Sequence, residues 1–262
     1  MQRRSKSPGK LYSQEFHADR DARTRLTAET ILGQFARWTA MDSVCDVGCG
    51  VGTWLAAARD LGAGCVQGFE GPWGEAVELV VERGLIRFGD LHEPVADTRR
   101  YDLVISLEVA EHLNAARAPG FVADLCALGD VVLFSAAIPG QGGTGHVNEQ
   151  WQSYWAGHFA AQGYQAHDAI RPLVWDDDQV AWWYRQNILL YVREGSPAAT
   201  ALAGAGLRAP VYLDLVHPAY YTMFEAEHGL RRLKRKARDL IRSASQHFDG
   251  IVRKPSAAAP NG

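Results

Sequence analysis

Asp46, Gly48, Gly50 and Gly52 stand at alternate positions in Val44-Cys45-Asp46-Val47-Gly48-Cys49-Gly50-Val51-Gly52-Thr53-Trp54. Glycines so spaced let the backbone turn tightly and leave bare amides where a ligand can approach. The apolar run Ser43–Val47 reads as a strand and Thr53–Leu61 as a helix. The loop therefore ends at a helix N-terminus with unpaired N–H groups. A dinucleotide loop reads G-x-G-x-x-G, and a phosphate loop needs Lys-Ser or Lys-Thr after its last glycine. This loop has neither. Asp46 repels a pyrophosphate and welcomes a cation, which points to a nucleoside ligand that carries an amino acid.

Further along, Glu70 closes a second apolar run, 18 residues beyond Gly52. An acid at that distance can accept from both hydroxyls of a ribose. In Gly145-His146-Val147-Asn148-Glu149-Gln150-Trp151, His146 is a candidate base, and Asn148, Glu149 or Gln150 can hold an acceptor or the imidazole. The competing reading has His146 packing the loop and Asn148 capping the next helix.

The loop resembles the glycine-rich first motif of the class I, Rossmann-like S-adenosylmethionine-dependent methyltransferases. Tyr101-Asp102-Leu103-Val104-Ile105-Ser106-Leu107-Glu108-Val109-Ala110-Glu111-His112-Leu113 closely resembles the fourth motif of their small-molecule members. The resemblance runs from about Leu11 to Glu194 and implies S-adenosyl-L-methionine as cofactor. It further implies that Asp46, Gly48, Cys49 and Gly50 form one wall of the cofactor site, and that Glu70 and Gly71 meet the ribose. Asp90 would accept from the adenine amino group and Leu91 meet the ring. The backbone at Leu107 and Glu108 would line the methionine part, and His112 would face the space between cofactor and acceptor. Tyr12 would belong to a lid over the cofactor.

On the acceptor side, the expected reaction is O-methylation of a hydroxyl on a sugar-like or secondary-metabolite small molecule, with His146, His112 and Glu149 as catalytic candidates. Trp151, Tyr154, Trp155, Trp175, Trp182, Trp183 and Tyr184 fall where an acceptor roof is expected, and such faces suit sugars and planar molecules. The i, i+4 spacing of Trp155 and Phe159 equally fits the core face of a helix. The alternatives are N-methylation of a small amine, or a catalytically silent relative that binds cofactor and acts through partners. A dehydrogenase is disfavoured by the loop spacing and by Asp46.

His146, Glu149 and Asp176, Asp177 and Asp178 offer hard metal ligands. Metal-dependent relatives place acids at the ends of the fourth and fifth strands, where this chain has Glu108 and Ser135. No metal is expected, and the aspartate run reads as a solvated loop.

The elements that must position these residues follow from hydrophobic patterning. Apolar runs alternate with helical stretches from Ser43 onward, the pattern of a parallel sheet with crossover helices. The strands expected are Ser43–Val47, Cys65–Glu70, Leu85–Gly89, Tyr101–Leu107, Val131–Ala137, Tyr164–Ile170 and Asn187–Glu194. Helices are expected at Asp21–Trp38, Thr53–Leu61, Trp73–Arg83, Asn114–Leu128 and Glu149–Gln162. The fold class is α/β: a doubly wound, mostly parallel seven-stranded sheet with helices on both faces, plus a C-terminal helical extension. Residues 1–41 form a lid and cover helix, 42–194 the cofactor-binding core, 195–209 an Ala/Gly-rich linker, and 210–262 a helical extension and tail with a long helix over Glu225–His247.

In bulk, 262 residues with 47% apolar and 22% charged side chains suit a soluble globular protein. Cys45, Cys49, Cys65 and Cys126 make no C-x-x-C pair and read as core thiols in a reducing compartment, so the cytoplasm is expected. No apolar run approaches a membrane span, and no apolar stretch follows the basic start as in a secretory signal. The net charge of −3 is uneven: residues 1–25 hold seven Lys/Arg against three acids, and residues 225–254 hold nine against four. The body between them is acidic, which argues against a nucleic-acid groove through the site. The run Arg231–Arg238 reads as a solvated helix face. The partners expected are a small-molecule acceptor and, as an assembly the sequence permits, a homodimer.

Overall fold

The computed structural model describes residues 14–207, 209, 210, 212–226, 229 and 238. Two compact units divide after His217.

The first unit is built on a seven-stranded sheet. Its strands are β1 (Ser43–Val47), β2 (Cys65–Glu70), β3 (Ile86–Phe88), β4 (Leu103–Leu107), β5 (Val131–Ser135), β6 (Tyr164–His167) and β7 (Leu189–Arg193), in the order β3-β2-β1-β4-β5-β7-β6. The pairings from β3 across to β5 are parallel, and β7 runs antiparallel to both β5 and β6. The helices are α1 (Gln14–Phe35), α2 (Thr53–Asp60), α3 (Ala118–Leu128), α4 (Gln152–Ala160), α5 (Arg171–Val174), α6 (Trp182–Asn187) and α7 (Pro197–Gly204).

Strand alternation explains the layering, because successive side chains point to opposite faces. Val44, Leu103, Ile105, Val131 and Leu133 pack with Ile31, Leu32 and Phe35 of α1 and Leu55 of α2. Cys45, Val104, Val132 and Phe134 face the other way, onto Phe121 and Leu125 of α3 and Trp155 and Phe159 of α4. The expected doubly wound fold is present. The strand order reverses between β1 and β4, and such a switch point opens a crevice at the carboxyl ends of the strands.

Some expectations need correction. Trp73–Arg83 is not a helix: a 3-10 turn over Pro72–Ala76 is followed by irregular chain. Gly74 is buried there, and a Cβ on it would lie 2.9 Å from Glu70 Cγ and 3.0 Å from Phe88. Close packing, not helical periodicity, governs the segment. Val80 N–H then donates to the Val51 carbonyl at 2.9 Å, folding the chain back over the glycine loop. The stretch 195–209, expected as a linker, carries α7, capped by Ser196 Oγ accepting from Ala199 N–H at 3.1 Å and anchored by fully buried Leu202. Helix α4 begins at Gln152 rather than Glu149, because Glu149 is engaged by the preceding loop.

The second unit contributes a helix over 218–226, begun by Pro218, whose fixed φ suits a first helical position. Tyr221 Oη donates to Glu225 at 2.9 Å within it. The long helix expected over Glu225–His247 and the basic run Arg231–Arg238 fall almost wholly outside the described residues. Among the described residues no helix is long and apolar enough to cross a membrane, and the four cysteines are free thiols.

Candidate active site

At the end of β1 the backbone turns through Gly48, Gly50 and Gly52 with φ of 85°, 58° and 91°, the left-handed region in which only glycine is unstrained. Gly48 N–H and Cys49 N–H both donate to the Phe69 carbonyl, at 2.8 and 3.2 Å, tying the loop to β2. The glycines differ in what surrounds them. A Cβ on Gly48 would meet Val109 at 2.3 Å, and one on Gly52 would meet Val81 at 2.6 Å. Nothing lies within 4 Å of the Cβ position of Gly50, so that face opens on free space.

Two carboxylates flank the loop. Asp46 is 3% exposed and its Oδ2 has no hydrogen-bond partner. Burial, and then the charge of Glu70, push its pKa well above the usual aspartate range. Glu70 is also buried; its Oε2 accepts from Gly50 N–H at 2.5 Å and its Oε1 from Gly71 N–H at 2.6 Å. Burial raises its pKa, although those amides and the Trp73 side chain pull the other way. The loop is thus held from below by β2, leaving an unanswered carboxylate oxygen beside it.

The turn after β4 forms the facing wall. Glu108 sits at φ 57°, the one non-glycine with positive φ among the described residues. Such strain persists where surroundings over-determine it, and here they do. Its N–H donates to the Ser135 carbonyl at 3.0 Å, and its carboxylate accepts from Asn187 Nδ2 and Gln141 Nε2, both at 3.1 Å. Burial raises its pKa.

Behind it, Glu111 is fully buried, its carboxylate lying against the Glu108 side chain and the Ala137 backbone without a hydrogen bond of ordinary geometry. Burial, followed by the charge of Glu108, raises its pKa well above normal. The Glu111 carbonyl accepts from Val147 N–H at 2.8 Å and Asn148 N–H at 3.0 Å. Those two bonds staple the loop after β5 to the turn after β4 and bring His112 and His146 edge to face, with ring centroids 4.9 Å apart.

Glu149 organises that loop. Its Oε2 accepts from Gly140 N–H and its Oε1 from Gly142 N–H, each at 2.7 Å. His146 Nδ1 lies 2.9 Å from the same Oε1, which sets Nδ1 as donor and leaves Nε2 as the acceptor nitrogen. Glu149 therefore holds the imidazole and the loop. Asn148 is buried, its Oδ1 accepting from Gln150 at 3.0 Å.

Asp90 is exposed beyond β3, and its carboxylate accepts from His92 N–H and meets His92 Nδ1, both at 2.9 Å; those contacts lower its pKa. Leu91 beside it is half-buried, and Leu107 is buried at the end of β4. Tyr12 lies outside the described residues. The aromatic segment divides: Trp155 and Tyr184 are core, Trp175 packs on His217 at 4.6 Å, and Trp151 is exposed. Glu111, Gln141 and Asn187 were not foreseen. An acid directly before His112 and three residues after Glu108 was the available signal for Glu111; nothing local marks the other two.

Residues 6–175 match the family model described as a methyltransferase domain. The chain belongs to that family, and its sheet is that of a class I, Rossmann-like S-adenosylmethionine-dependent methyltransferase. Among solved structures it is similar to a chain in the complex between the Haloferax volcanii Trm112 methyltransferase activator and a methyltransferase, with 18% identity over 70% of this chain and 96% of that one and a TM-score of 0.51. It also resembles magnesium protoporphyrin IX methyltransferase from Synechocystis PCC 6803, at 19% identity, 68% and 87% coverage and a TM-score of 0.49. A third is CalS10, an amino pentose methyltransferase from Micromonospora echinaspora, at 16% identity, 70% and 98% coverage and a TM-score of 0.48. At these identities the likeness is one of fold. No curated protein matches the chain.

Proposed function

We propose that this methyltransferase transfers a methyl group from S-adenosyl-L-methionine to a hydroxyl of a small molecule. The residues at the crevice fit that cofactor on one observation above all: a buried aspartate with an unanswered oxygen beside a loop that opens at Gly50. Asp46 would receive the cationic ammonium, and Gly48, Cys49 and Gly50 would present their backbone to the ligand. Glu70 with Gly71 would take the ribose hydroxyls through the carboxylate's remaining lone pairs. Leu107 and the strained backbone of Glu108 would line the methionine part, and Asp90 and Leu91 the adenine. When bound, the cofactor supplies an electrophilic sulfonium methyl group.

What the chain must add is alignment of the acceptor and a destination for its proton. The observation that supports a hydroxyl acceptor is the His112–His146 contact, with His146 Nδ1 committed to Glu149. A neutral imidazole so held accepts a proton at Nε2, as a hydroxyl acceptor requires, whereas an amine can lose its proton to bulk water. Exposed Trp151 offers an aromatic face for a sugar-like or planar acceptor. The four unpaired cysteines fit an enzyme of a reducing compartment, the cytoplasm.

The test is incubation with labelled cofactor and a metabolite extract, followed by mass identification of the methylated product. A product methylated on oxygen supports the reading. A product methylated on nitrogen, with His146→Ala leaving the rate unchanged, overturns the hydroxyl assignment.

A further inference from the structure

Glu111, His112 and His146 place one carboxylate and two imidazoles so that one ligand atom from each lies within 4.8 Å of the others. Donor atoms bound to one first-row ion at about 2.0–2.2 Å stand roughly 3–4.4 Å apart, so the cluster has nearly the dimensions of a coordination sphere. A second observation points to a ligand in this place. The Glu111 side chain is fully buried with one oxygen near both imidazoles, and its other neighbours, the Glu108 carboxylate and the Ala137 backbone, give neither oxygen a hydrogen bond of ordinary geometry. Leaving such a group unanswered is costly, and natural structures rarely do so.

The surroundings are also those of a held ligand set. Glu149 accepts from His146 Nδ1, and a carboxylate behind an imidazole fixes the tautomer whose Nε2 lone pair faces a metal. Gly143 lies against that nitrogen: a Cβ there would fall 2.1 Å from Nε2, so a side chain at this position would cover it. The two hydrogen bonds from Val147 and Asn148 to the Glu111 carbonyl keep His146 in register with His112. The cluster grades from buried Glu111 to exposed His112, which gives an ion a path from solvent.

We propose that Glu111, His112 and His146 bind a divalent transition-metal ion, Zn²⁺ or a first-row neighbour, on the acceptor side of the crevice. Two imidazoles with one carboxylate favour such ions over Mg²⁺ and Ca²⁺, which prefer all-oxygen sets. Three protein ligands leave coordination positions open, as in catalytic rather than structural sites. An acceptor hydroxyl is the group those positions suit. The inference rests on the hydroxyl-methylation reading and changes one role within it. His146 then serves as a ligand, and the cation makes the hydroxyl acidic enough to release its proton to water. It also replaces the expectation of no metal, and places the site away from Asp176–Asp178.

The test is titration of the chelator-treated protein with Zn²⁺ by calorimetry and with Co²⁺ by visible absorption, on wild type, Glu111→Gln, His112→Ala and His146→Ala. One equivalent is expected to bind the wild type, with the ligand-field bands of imidazole-bound Co²⁺. Affinity should fall at least tenfold in each variant, and Glu111→Gln preserves the volume of the buried side chain should an alanine variant fail to fold. S-adenosylhomocysteine binding, measured on the same samples without metal, separates the two readings. Cofactor product bound but no saturable one-equivalent ion, or an affinity unchanged in all three variants, overturns the metal site alone. Failure to bind the cofactor product overturns the methyltransferase reading itself.

Discussion

His112 and His146, 34 positions apart in sequence, meet edge to face with ring centroids 4.9 Å apart. The contact depends on Glu111, whose carbonyl takes the N–H groups of Val147 and Asn148 and so fastens one strand-end loop to the next. The acceptor side of the crevice is thus assembled by backbone hydrogen bonds between loops. Its chemistry is carried by side chains that those bonds bring together.

The loop glycines should separate stability from binding. Gly48→Ala forces a left-handed alanine whose Cβ strikes Val109, and should lower stability by about 2–4 kcal/mol. Gly50→Ala meets no protein atom and should cost only the backbone strain, about 1–2 kcal/mol. Its Cβ enters the space proposed for the cofactor, so cofactor affinity should fall at least tenfold. Thermal melts paired with cofactor titration read both effects.

Asp46 predicts an inverted pH dependence. Its folded pKa is raised, so between the ordinary aspartate value and the folded one the native state holds a proton that the unfolded state has lost. Stability of the ligand-free protein therefore declines as pH rises through that window, and Glu70 acts in the same direction. Each unit of separation is worth about 1.4 kcal/mol, or roughly 3–5 °C in Tm for a domain of this size. Replacing Asp46 with Asn should flatten the change in Tm between pH 5 and pH 7.5. An equal change in wild type and variant would contradict the assignment.

Glu149 is predicted to position rather than to react. Glu149→Gln sets an amide where two glycine N–H groups and an imidazole N–H need acceptors. Turnover should fall about 10–100-fold, as when the partner behind an oriented imidazole is lost. Cofactor affinity should hold, because Glu149 touches the acceptor loop and not the glycine loop. Steady-state rates with the cofactor dissociation constant measured alongside check this.

Arg171 should be a stability residue. It is 1% exposed, forms a two-pronged pair with Asp168 at 2.8 and 2.9 Å, and donates to the Leu213 carbonyl at 2.9 Å. Arg171→Ala strands the Asp168 carboxylate and should cost about 3–5 kcal/mol. Denaturant melts of the variant provide the measurement, and Arg171→Ala with Asp168→Ala should recover part of the loss.

Much of this was legible in the sequence because continuous apolar runs and alternate glycines are local signals. β1 and β2 fall at the expected residues, and the glycine loop and Glu70 stand where their types implied. The helix expected over Trp73–Arg83 failed because Gly74 is governed by contact with Glu70 and Phe88, a tertiary constraint with no local mark. The Ser196-Pro197 cap of α7 was readable and was outweighed by the Ala/Gly composition around it. At the site, His146 and Glu149 could be chosen as candidates, but Glu149's grip on Gly140 and Gly142 could not be seen. Glu111 escaped for a similar reason: its importance lies in what its carbonyl and its buried carboxylate meet in space.

The central claim, that Asp46 and its loop hold S-adenosylmethionine for methyl transfer, is tested most directly by calorimetric titration of the cofactor into wild type, Asp46→Asn and Glu70→Ala. One site of saturable affinity is predicted in the wild type, with at least a tenfold weakening in each variant. No binding by folded wild-type protein, or equal affinity in all three, would contradict it.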